Sequence, residues 1–311
     1  MSPYVAHFPV MAKETVGYLA HSTDGLYLDC TFGAGGHTKQ LLSVISPNAR
    51  VIGLDLDQRA VEIGKELEKE DNRFSIIHMN FADYVKYRKE HDLPKAKGVI
   101  FDLGASTMQL KDKERGFSYK YDAHLDMRMD QSSSLTAAEI LNTYPRRELK
   151  DIFKKYGDIA NPDKLVNLIS LYRKQNDFIE TTEVFKAIVE EAFWNIDAIK
   201  FNKVLRKCFQ ALRIAVNKEF SSLEKALESL NEILEVGGIA CIITFHSGEE
   251  RIVRAWKSKY CDNIEIQDYS QNILNKFKFV TEKYIVPEEY EIVENWASRS
   301  SKLWVIQKVK D

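Results

Sequence analysis

The chain has 311 residues, 44% of them hydrophobic, and carries 44 basic and 46 acidic side chains for a net charge of −2. This composition supplies apolar material for one large domain or two modest ones, and it excludes a protein whose whole surface is basic enough to bind nucleic acid. The four cysteines lie far apart without C-x-x-C spacing, so we expect neither a disulfide framework nor a zinc site, and the pattern favours a reducing compartment.

The first residues, Met1–His7, contain neither a basic start nor an apolar run, so we expect no signal peptide. No apolar stretch approaches the roughly 20 residues that a membrane-spanning helix needs. We therefore expect a cytoplasmic protein without a membrane partner. The sequence leaves the oligomeric state open between a monomer and a homodimer.

Strands and helices alternate in the first third of the chain. Short runs rich in Val, Ile, Leu and Phe predict strands, and the segments between them have the apolar spacing of helices. This alternation is typical of βαβ units in a parallel sheet. The predicted strands are 26–30, 51–55, 74–78 and 98–103, and the predicted helices are 36–45, 58–70 and 82–91.

From about residue 107 to residue 213 the pattern changes to loops and then helical segments, with no convincing strand. Strand character returns at Gly238–Phe245, and the runs 276–286 and 302–309 predict an antiparallel pair that closes the sheet. The sequence therefore predicts a doubly wound, Rossmann-like α/β sheet with an inserted all-helical domain. The predicted boundaries are 1–106 with 214–311 for the sheet domain and 107–213 for the insert.

A glycine-rich turn, with Gly33, Gly35 and Gly36, joins the first predicted strand to a helix. Such a turn brings bare backbone against a ligand at the start of the helix. The full dinucleotide motif needs a third glycine where this chain has Thr38, so the turn favours S-adenosylmethionine, which has no pyrophosphate, over NAD or FAD. Two roles stay open for His37, a hydrogen bond to the methionine end of the cofactor and a plain surface position at the start of the helix.

Acidic and aromatic residues follow the next two strands. Asp55 ends the second strand, where it is either an acceptor of hydrogen bonds from ribose hydroxyls or an ordinary strand-end acid, and Asp57 is the N-cap candidate of the next helix. Phe81, after the third strand, is positioned either to pack on an adenine ring or to fill the core. These residues predict a nucleoside-type cofactor at one edge of the sheet.

Asp102 ends the fourth strand and is followed by a loop that contains Gly104. Doubly wound sheets bind ligands beyond the carboxyl ends of the strands, at the switch between the first and fourth strands, so we expect the chemistry here. An exocyclic amine is a poor nucleophile because its lone pair is delocalised into the base, and a hydrogen-bond acceptor would localise that pair. Asp102 is a candidate for this acceptor, for a group that orients the cofactor, or for a structural acid.

Three stretches of the chain are rich in Lys and Arg. Charge runs are most often solvated helix faces, and each run is also a candidate RNA-binding patch. The runs are 86–97, 146–155 and 200–213.

Many further strings of residues occur in a fixed order along the chain. They are His7-Phe8-Pro9-Val10, Thr31–His37, Asp102-Leu103-Gly104 with Gln109-Leu110, Arg115–Ser118, Leu125–Asp130, Phe209–Ile214 with Asn217, Phe245-His246-Ser247, Arg251–Val253 and Ser298–Leu303. In these strings the chain resembles the 16S rRNA cytosine-N4 methyltransferase family, also called MraW or RsmH, over nearly its whole length.

The resemblance implies a class I methyltransferase fold and an S-adenosylmethionine-dependent enzyme. Its implied substrate is N4 of a cytidine in the decoding centre of 16S rRNA, within the small ribosomal subunit, and its helical insert would recognise RNA. The positions that match the family's cofactor contacts are Gly35, Gly36, His37, Asp55, Phe81, Asp102 and Gln109. Of these, Gln109 follows from the resemblance alone.

The resemblance also raises the interest of His246, which ends the last parallel strand and would hydrogen-bond a flipped cytosine or a phosphate. His246 and Asp102 are our two candidate catalytic residues, although a single histidine is often structural. Arg115, Arg128 and Arg213 lie in matching strings, where they would bind RNA phosphate or form structural ion pairs.

The chain departs from the family pattern at several places. Gly248 and Glu250 stand where the family usually has Leu and Asp, and Trp296-Ala297 replaces a Pro-Arg pair. Trp304 replaces an Arg. The loss of two arginines weakens phosphate attraction, and the tryptophans would either stack on a base or pack internally. These changes bear on the placement of the substrate more than on the cofactor.

Two other functions compete with the methyltransferase. A Rossmann-like dehydrogenase would use the same glycine turn, but the missing third glycine and the resemblance count against it. A catalytically altered RNA-binding paralogue that assists ribosome assembly would keep the fold and lose the chemistry. The altered C-terminal strings motivate this second alternative, and the intact Asp102 and Gln109 count against it.

Overall fold

The computed structural model describes residues 9–20, 24–175, 178–261 and 276–311. The predicted features of Met1–His7, and His7 and Phe8 of the first matching string, lie outside these residues. The chain divides into two compact units. The sheet unit contains the described residues up to Gly104 and from Phe220 onward, and the helical unit is Ala105–Glu219.

The sheet unit is built on one seven-stranded sheet with the order β3-β2-β1-β4-β5-β7-β6. The first five strands pair in parallel, and β7 lies antiparallel between β5 and β6. The predicted doubly wound α/β fold and its antiparallel closing pair are therefore confirmed. The strands are β1 Leu26–Asp29, β2 Arg50–Asp55, β3 Phe74–His78, β4 Ala96–Asp102, β5 Leu234–Thr244, β6 Phe277–Phe279 and β7 Lys302–Lys308.

The helices of the chain fall between and after these strands. In the described part of the chain none is both long and apolar enough to cross a bilayer. The helices are α1 Ala12–Leu19, α2 Gly36–Leu42, α3 Gln58–Glu70, α4 Tyr84–Glu90, α5 Thr107–Lys111, α6 Ala137–Thr143, α7 Arg146–Lys155, α8 Asp163–Gln175, α9 Thr182–Ala192, α10 Ala198–Asn217, α11 Glu219–Glu228, α12 Leu230–Ile233, α13 Ser247–Tyr260 and α14 Glu289–Glu294.

Helices cover the parallel strands, which explains why those strands read as continuous apolar runs. Every residue of β1 is buried, and four of the six residues of β2 are buried. β1 pairs with β2 on one side and with β4 on the other, so the strand order reverses at β1. The carboxyl ends of β1, β2 and β4 carry Asp29, Asp55 and Asp102, and parallel pairing brings these ends to one edge of the sheet.

Several element ends differ from those predicted. The helix predicted to start at residue 82 begins as a 3-10 turn at Phe81–Asp83, with α4 following it. The strand predicted over 276–286 is continuous only in β6, because residues 281–284 leave the ladder before Ile285 pairs again with Leu303. β5 starts four residues earlier than predicted.

The helical unit has its own apolar core. This core includes Leu125, Ile140, Phe153, Phe185 and Leu212, which are fully buried. Among its described residues the unit contains no strand beyond an isolated bridge between His124 and Thr181. Its interior is therefore closed by helix packing alone.

Candidate functional site

The site begins with three carboxylates at the edge of the sheet, of which Asp29 is fully buried and Asp55 and Asp102 are partly buried. Burial raises the pKa of Asp29, Asp55 and Asp102 to about 6 each, from an ordinary value of 3.8. Desolvation disfavours the charged form of a carboxyl group, and it is the largest effect at all three positions. Polar groups kept at this edge against such a cost mark it as a candidate functional site.

The glycine turn after β1 is closed tightly against its neighbours. Gly33 and Gly35 adopt left-handed backbone conformations with φ of 56° and 76°. A Cβ atom on Gly35 would lie 2.7 Å from the Phe32 ring, and one on Gly36 would lie 2.9 Å from Pro9. Only glycine fits at these two positions, so the turn presents bare backbone, as predicted for a ligand-binding turn.

Asp55 ties this turn to the end of β2. Its Oδ2 accepts a hydrogen bond from the backbone N–H of Gly33 at 2.8 Å, and its Oδ1 accepts one from Asp57 at 2.8 Å. Asp57 caps α3 by accepting a hydrogen bond from the backbone N–H of Arg59, as predicted. Each oxygen of Asp55 keeps a further lone pair, so the carboxylate can also accept hydrogen bonds from ribose hydroxyls.

Thr38 occupies the place of the missing third glycine. Its fully buried hydroxyl donates a hydrogen bond to Oδ2 of Asp29 at 2.7 Å, and Oδ1 of Asp29 accepts one from the Thr31 N–H at 3.2 Å. A hydrogen bond between α2 and β1 thus stands where a dinucleotide turn has close backbone packing at a glycine. Asp29 was missed at the sequence level, although an acid inside an apolar strand run is a detectable signal.

Asp102 lies beyond the switch between β1 and β4. Its backbone N–H donates to the Thr31 hydroxyl at 2.6 Å, and its Oδ2 lies 3.8 Å from Nδ1 of His37. Its Oδ1 is buried and has no hydrogen-bond partner among the described residues. Beyond burial, nearby His37 lowers the pKa of Asp102, and the carboxylates of Asp29, Glu249 and Glu291 raise it.

Each ring nitrogen of His37 lies near a polar group. Its Nε2 lies 2.9 Å from the carbonyl oxygen of Val10, which can only accept, so Nε2 carries a proton. Its Nδ1 faces Asp102, and the side chain is 5% exposed. The surface position considered for His37 is therefore wrong, because the imidazole is buried between the N-terminal segment and β4. Its contact with the cofactor stays a prediction.

Phe81 lies in the 3-10 turn after β3 and is partly buried. Its ring meets the edge of the Phe101 ring at 5.4 Å between centroids, and Asn80 caps the turn by accepting a hydrogen bond from the Ala82 N–H. One part of the ring therefore packs on the core of the sheet unit and another part stays accessible. The packing of Phe81 on adenine stays a prediction.

His246 is the N-cap of α13. Its Nδ1 accepts hydrogen bonds from the backbone N–H groups of Gly248 and Glu249 at 3.2 and 3.4 Å. Glu249 completes a reciprocal capping box, since its carboxylate accepts from the Phe245 N–H at 2.7 Å. Because Nδ1 accepts, Nε2 is the nitrogen left to donate, and it lies 3.2 Å from Glu249. A structural role is thereby established, and the catalytic role of His246 stays a prediction.

Gln109 belongs to the helical unit. It forms a capping box with Ser106 at the start of α5, in which its Oε1 accepts from the Ser106 N–H at 3.0 Å. The residue is 4% exposed. Its contact with the cofactor stays a prediction.

The matching strings of the helical unit support one another by hydrogen bonds. Arg128 forms a two-pronged ion pair with Asp126, and Arg213 forms one with Glu219. Arg115 donates to the backbone carbonyls of Arg128 and Met129. Structural ion pairs, the alternative to RNA phosphate contacts, are therefore present at Arg128 and Arg213, whereas these contacts of Arg115 are to backbone carbonyls.

Three of the departures from the family pattern have a structural explanation. A Cβ atom on Gly248 would lie 2.3 Å from the Phe220 ring, so a leucine cannot occupy this position while Phe220 stays in place. Glu250 pairs with Lys302 of β7 at 2.7 Å. Trp304 is buried, donates to Thr244 through Nε1 at 3.0 Å and so packs internally.

Trp296 differs from Trp304 in its environment. Its side chain is 67% exposed, and the guanidinium of Arg299 lies 4.8 Å from its ring centroid. Trp296 is therefore the one of the two tryptophans whose ring remains accessible to a base.

Comparisons with known proteins agree with this geometry. A family model described as the MraW methylase family matches residues 4–309. The chain is 37% identical over 303 residues to the "Ribosomal RNA small subunit methyltransferase H" of Bacteroides fragilis, with 97% of each chain covered. Proteins of the same name from Caldicellulosiruptor saccharolyticus and Christiangramia forsetii are 37% and 38% identical, over 97% of this chain and 99% and 98% of theirs.

We expect Asp102→Asn to stabilise the ligand-free protein at pH 8. The folded-state pKa of Asp102 is raised from 3.8 to about 6, so the wild type loses stability as the pH rises from about 4 to about 6. A shift of about two pKa units corresponds to at most roughly 3 kcal/mol. An amide does not ionise, so the gain of about 1–3 kcal/mol is present at pH 8 and disappears at pH 4.

Urea unfolding of both proteins at pH 4 and pH 8 measures this difference. Glu62→Gln, which neutralises an exposed carboxylate of α3, is the matched control. A difference between Asp102→Asn and wild type that does not change with pH would contradict the prediction.

We expect Gly248→Leu to lower the free energy of unfolding by about 1–3 kcal/mol, because the new side chain overlaps the Phe220 ring. Phe220→Ala removes that ring. The double variant is therefore expected to be more stable than the sum of the two single effects predicts. Thermal unfolding of all four proteins measures the coupling, and simple additivity would show that the two positions do not compete for space.

Proposed function

The chain belongs to the MraW methylase family, and on that premise we propose that it methylates N4 of a cytidine in 16S rRNA, at the decoding centre of the small ribosomal subunit. The name shared by its relatives supports an rRNA substrate of the small subunit. The observation that carries the proposal is the buried Oδ1 of Asp102, which lacks a hydrogen-bond partner among the described residues at the edge where the chemistry is expected.

The residues at this edge fit S-adenosylmethionine. The bare backbone at Gly35 and Gly36 would receive the methionine end, since a Cβ atom at either position would meet Phe32 or Pro9. Asp55 would accept hydrogen bonds from the ribose hydroxyls, and Phe81 would pack on the adenine. When bound, this cofactor supplies a methyl group on a positively charged sulfur. Gln109 and His37 complete the proposed cofactor contacts.

Asp102 would activate the amine of the base. Above a pH of about 6 its carboxylate is ionised, so Oδ1 can accept a hydrogen bond from the exocyclic N–H and hold the lone pair on that nitrogen. The transfer leaves positive charge on the nitrogen, and a buried carboxylate stabilises that charge more strongly than water does. Oδ1 then accepts the proton that the methylated amine releases, because a pKa of about 6 lies close to the working pH.

His37 would position Asp102. Its Nε2–H is bound to the Val10 carbonyl, so its Nδ1 is the ring nitrogen that faces Oδ2 of the carboxylate, at 3.8 Å. His246 would orient the flipped cytosine through Nε2, the nitrogen that the helix cap leaves as a donor, once its contact with Glu249 is exchanged for one with the base. Membership of the MraW methylase family excludes the dehydrogenase alternative. No observation in the structure favours the catalytically altered paralogue.

The proposal predicts transfer of labelled methyl groups from S-adenosylmethionine to small subunits or 16S rRNA. Asp102→Asn is expected to lower kcat by about 10²–10⁴-fold, since it removes the acceptor. Glu62→Gln is again the matched control. Mass spectrometry of rRNA from cells with and without the protein identifies the modified base. Label on a base other than cytosine, or cofactor binding without any label on RNA, would overturn the proposal.

We expect S-adenosylmethionine at about 100 times its Kd to stabilise the wild type by about 2.7 kcal/mol. Asp55→Ala should remove most of this increment, because it deletes the ribose acceptor and loosens the turn at Gly33. The quantity to compare is the ligand-induced rise in Tm, since the variant also starts from a lower Tm. An unchanged increment in Asp55→Ala, or a rise with NADH in place of S-adenosylmethionine, would contradict the assignment.

A further inference from the structure

A partly open cavity of about 260 Å³ lies within the helical unit. It is formed by the loop 158–161 between α7 and α8, by Phe193 after α9 and by the first half of α10. Its apolar lining includes Ile159, Phe193 and Val204, and its basic lining consists of Lys203 and Lys207. The cavity thus combines apolar walls with positive charge on one helix.

The walls of the cavity are fixed by the backbone. A Cβ atom on Gly157 would lie 2.8 Å from the carbonyl of Phe153 and 2.9 Å from that of Lys207, so the chain leaves α7 in close contact with α10. The next residue, Asp158, has φ of 48°, and its carbonyl accepts a hydrogen bond from Nζ of Lys207 at 3.1 Å. These contacts preform the cavity, so a ligand would not have to open it.

Two cations near the cavity lack an ion-pair partner in the described part of the chain, although Asp158 also lines the cavity. Lys203 and Arg206 are exposed and form no ion pair among the described residues, whereas Lys200 pairs with Asp197 and Lys150 pairs with Asp163. Residues 105–219 hold 20 of the 44 basic but only 17 of the 46 acidic side chains. The helical unit is therefore net basic in a chain that is net acidic.

Two exposed apolar side chains lie close in sequence to the lining residues. Trp194 follows Phe193 and is 75% exposed, and Ile199 in the first turn of α10 is 85% exposed. Nζ of Lys164 lies 5.9 Å from the centroid of the Trp194 ring. Aromatic faces beside cations are the combination that binds unpaired nucleotides, because bases stack and phosphates pair with the charges.

We propose that this cavity receives one unpaired nucleotide of the ribosomal RNA substrate, outside the nucleotide that is methylated. The base lies against Phe193, Ile159 and Val204, and the neighbouring phosphates approach Lys203 and Arg206. A volume below the roughly 300–1,000 Å³ of cavities for drug-sized ligands suits a single base. The inference rests on the proposed function, since it assigns to the helical unit a contact with that same RNA.

The test uses the full-length protein and two changes at the cavity. Lys203→Glu reverses the unpaired charge, and Ala160→Phe places a ring over a lining position that is exposed. Lys174→Glu, near the opposite end of α8, and Ala187→Phe, at an exposed alanine of α9, are matched controls. Fluorescence anisotropy measures the Kd of a mixed-sequence single-stranded oligoribonucleotide, and a methylation assay measures KM and kcat for naked 16S rRNA and for small subunits.

Both cavity variants are expected to raise the Kd for the oligoribonucleotide and the KM for both RNA substrates about tenfold, with kcat and S-adenosylmethionine affinity unchanged. Lys203→Glu should also reduce the slope of log Kd against log salt by about one or more. Variants that match their controls in both assays would overturn the inference and leave the proposed function standing.

Two further outcomes separate the inference from its premise. A raised KM for small subunits with unchanged binding of naked rRNA and of the oligoribonucleotide would show that a ribosomal protein occupies the cavity, which overturns the inference. A wild type that transfers no methyl group, while its oligoribonucleotide binding is weakened by the cavity changes and not by the controls, would overturn the proposed function and support the cavity as an RNA site.

Discussion

The carboxylate of Asp55 is the contact on which the site depends. It accepts one backbone N–H from the turn after β1 and one from the start of the helix after β2, so a single side chain holds two successive crossovers at the edge of the sheet. Burial at this place raises the pKa of Asp55 to about 6. The ligand-free edge therefore carries an electrostatic cost that hydrogen-bond donors on a ligand would reduce.

The doubly wound α/β sheet could be predicted because its strands and turns follow local patterns. Strands covered on both faces read as apolar runs, and in the glycine turn a Cβ atom on Gly35 or Gly36 would clash with a neighbouring side chain. The partners of buried polar groups could not be predicted. The carboxylate of Asp29 accepts a hydrogen bond from Thr38, and His37 donates one to the carbonyl of Val10, 27 residues away. Both contacts arise from tertiary packing, which no local spacing of residues encodes.

Three of the departures from the family pattern lie in α13 and β7. Phe220 occupies the space that a larger residue at position 248 would need, and Glu250 meets Lys302 on the neighbouring strand. Arg254 of the same helix lies 5.0 Å from the ring centroid of Trp304. One packing arrangement therefore accounts for three departures, and the hydrogen bonds of the Asp55 turn do not involve any of them.

The N-terminal segment connects the two ends of the sheet unit. The carbonyl of Val10 accepts from His37, and the next N–H, that of Met11, donates to Oε1 of Glu291 in α14 at 2.8 Å. Glu291 in turn is one of the carboxylates that raise the pKa of Asp102. A displacement of α14 would thus act on the His37–Asp102 pair through two adjacent peptide groups. The exposed Trp296 follows α14 directly, so a nucleotide stacked on that ring would lie within a few residues of this connection.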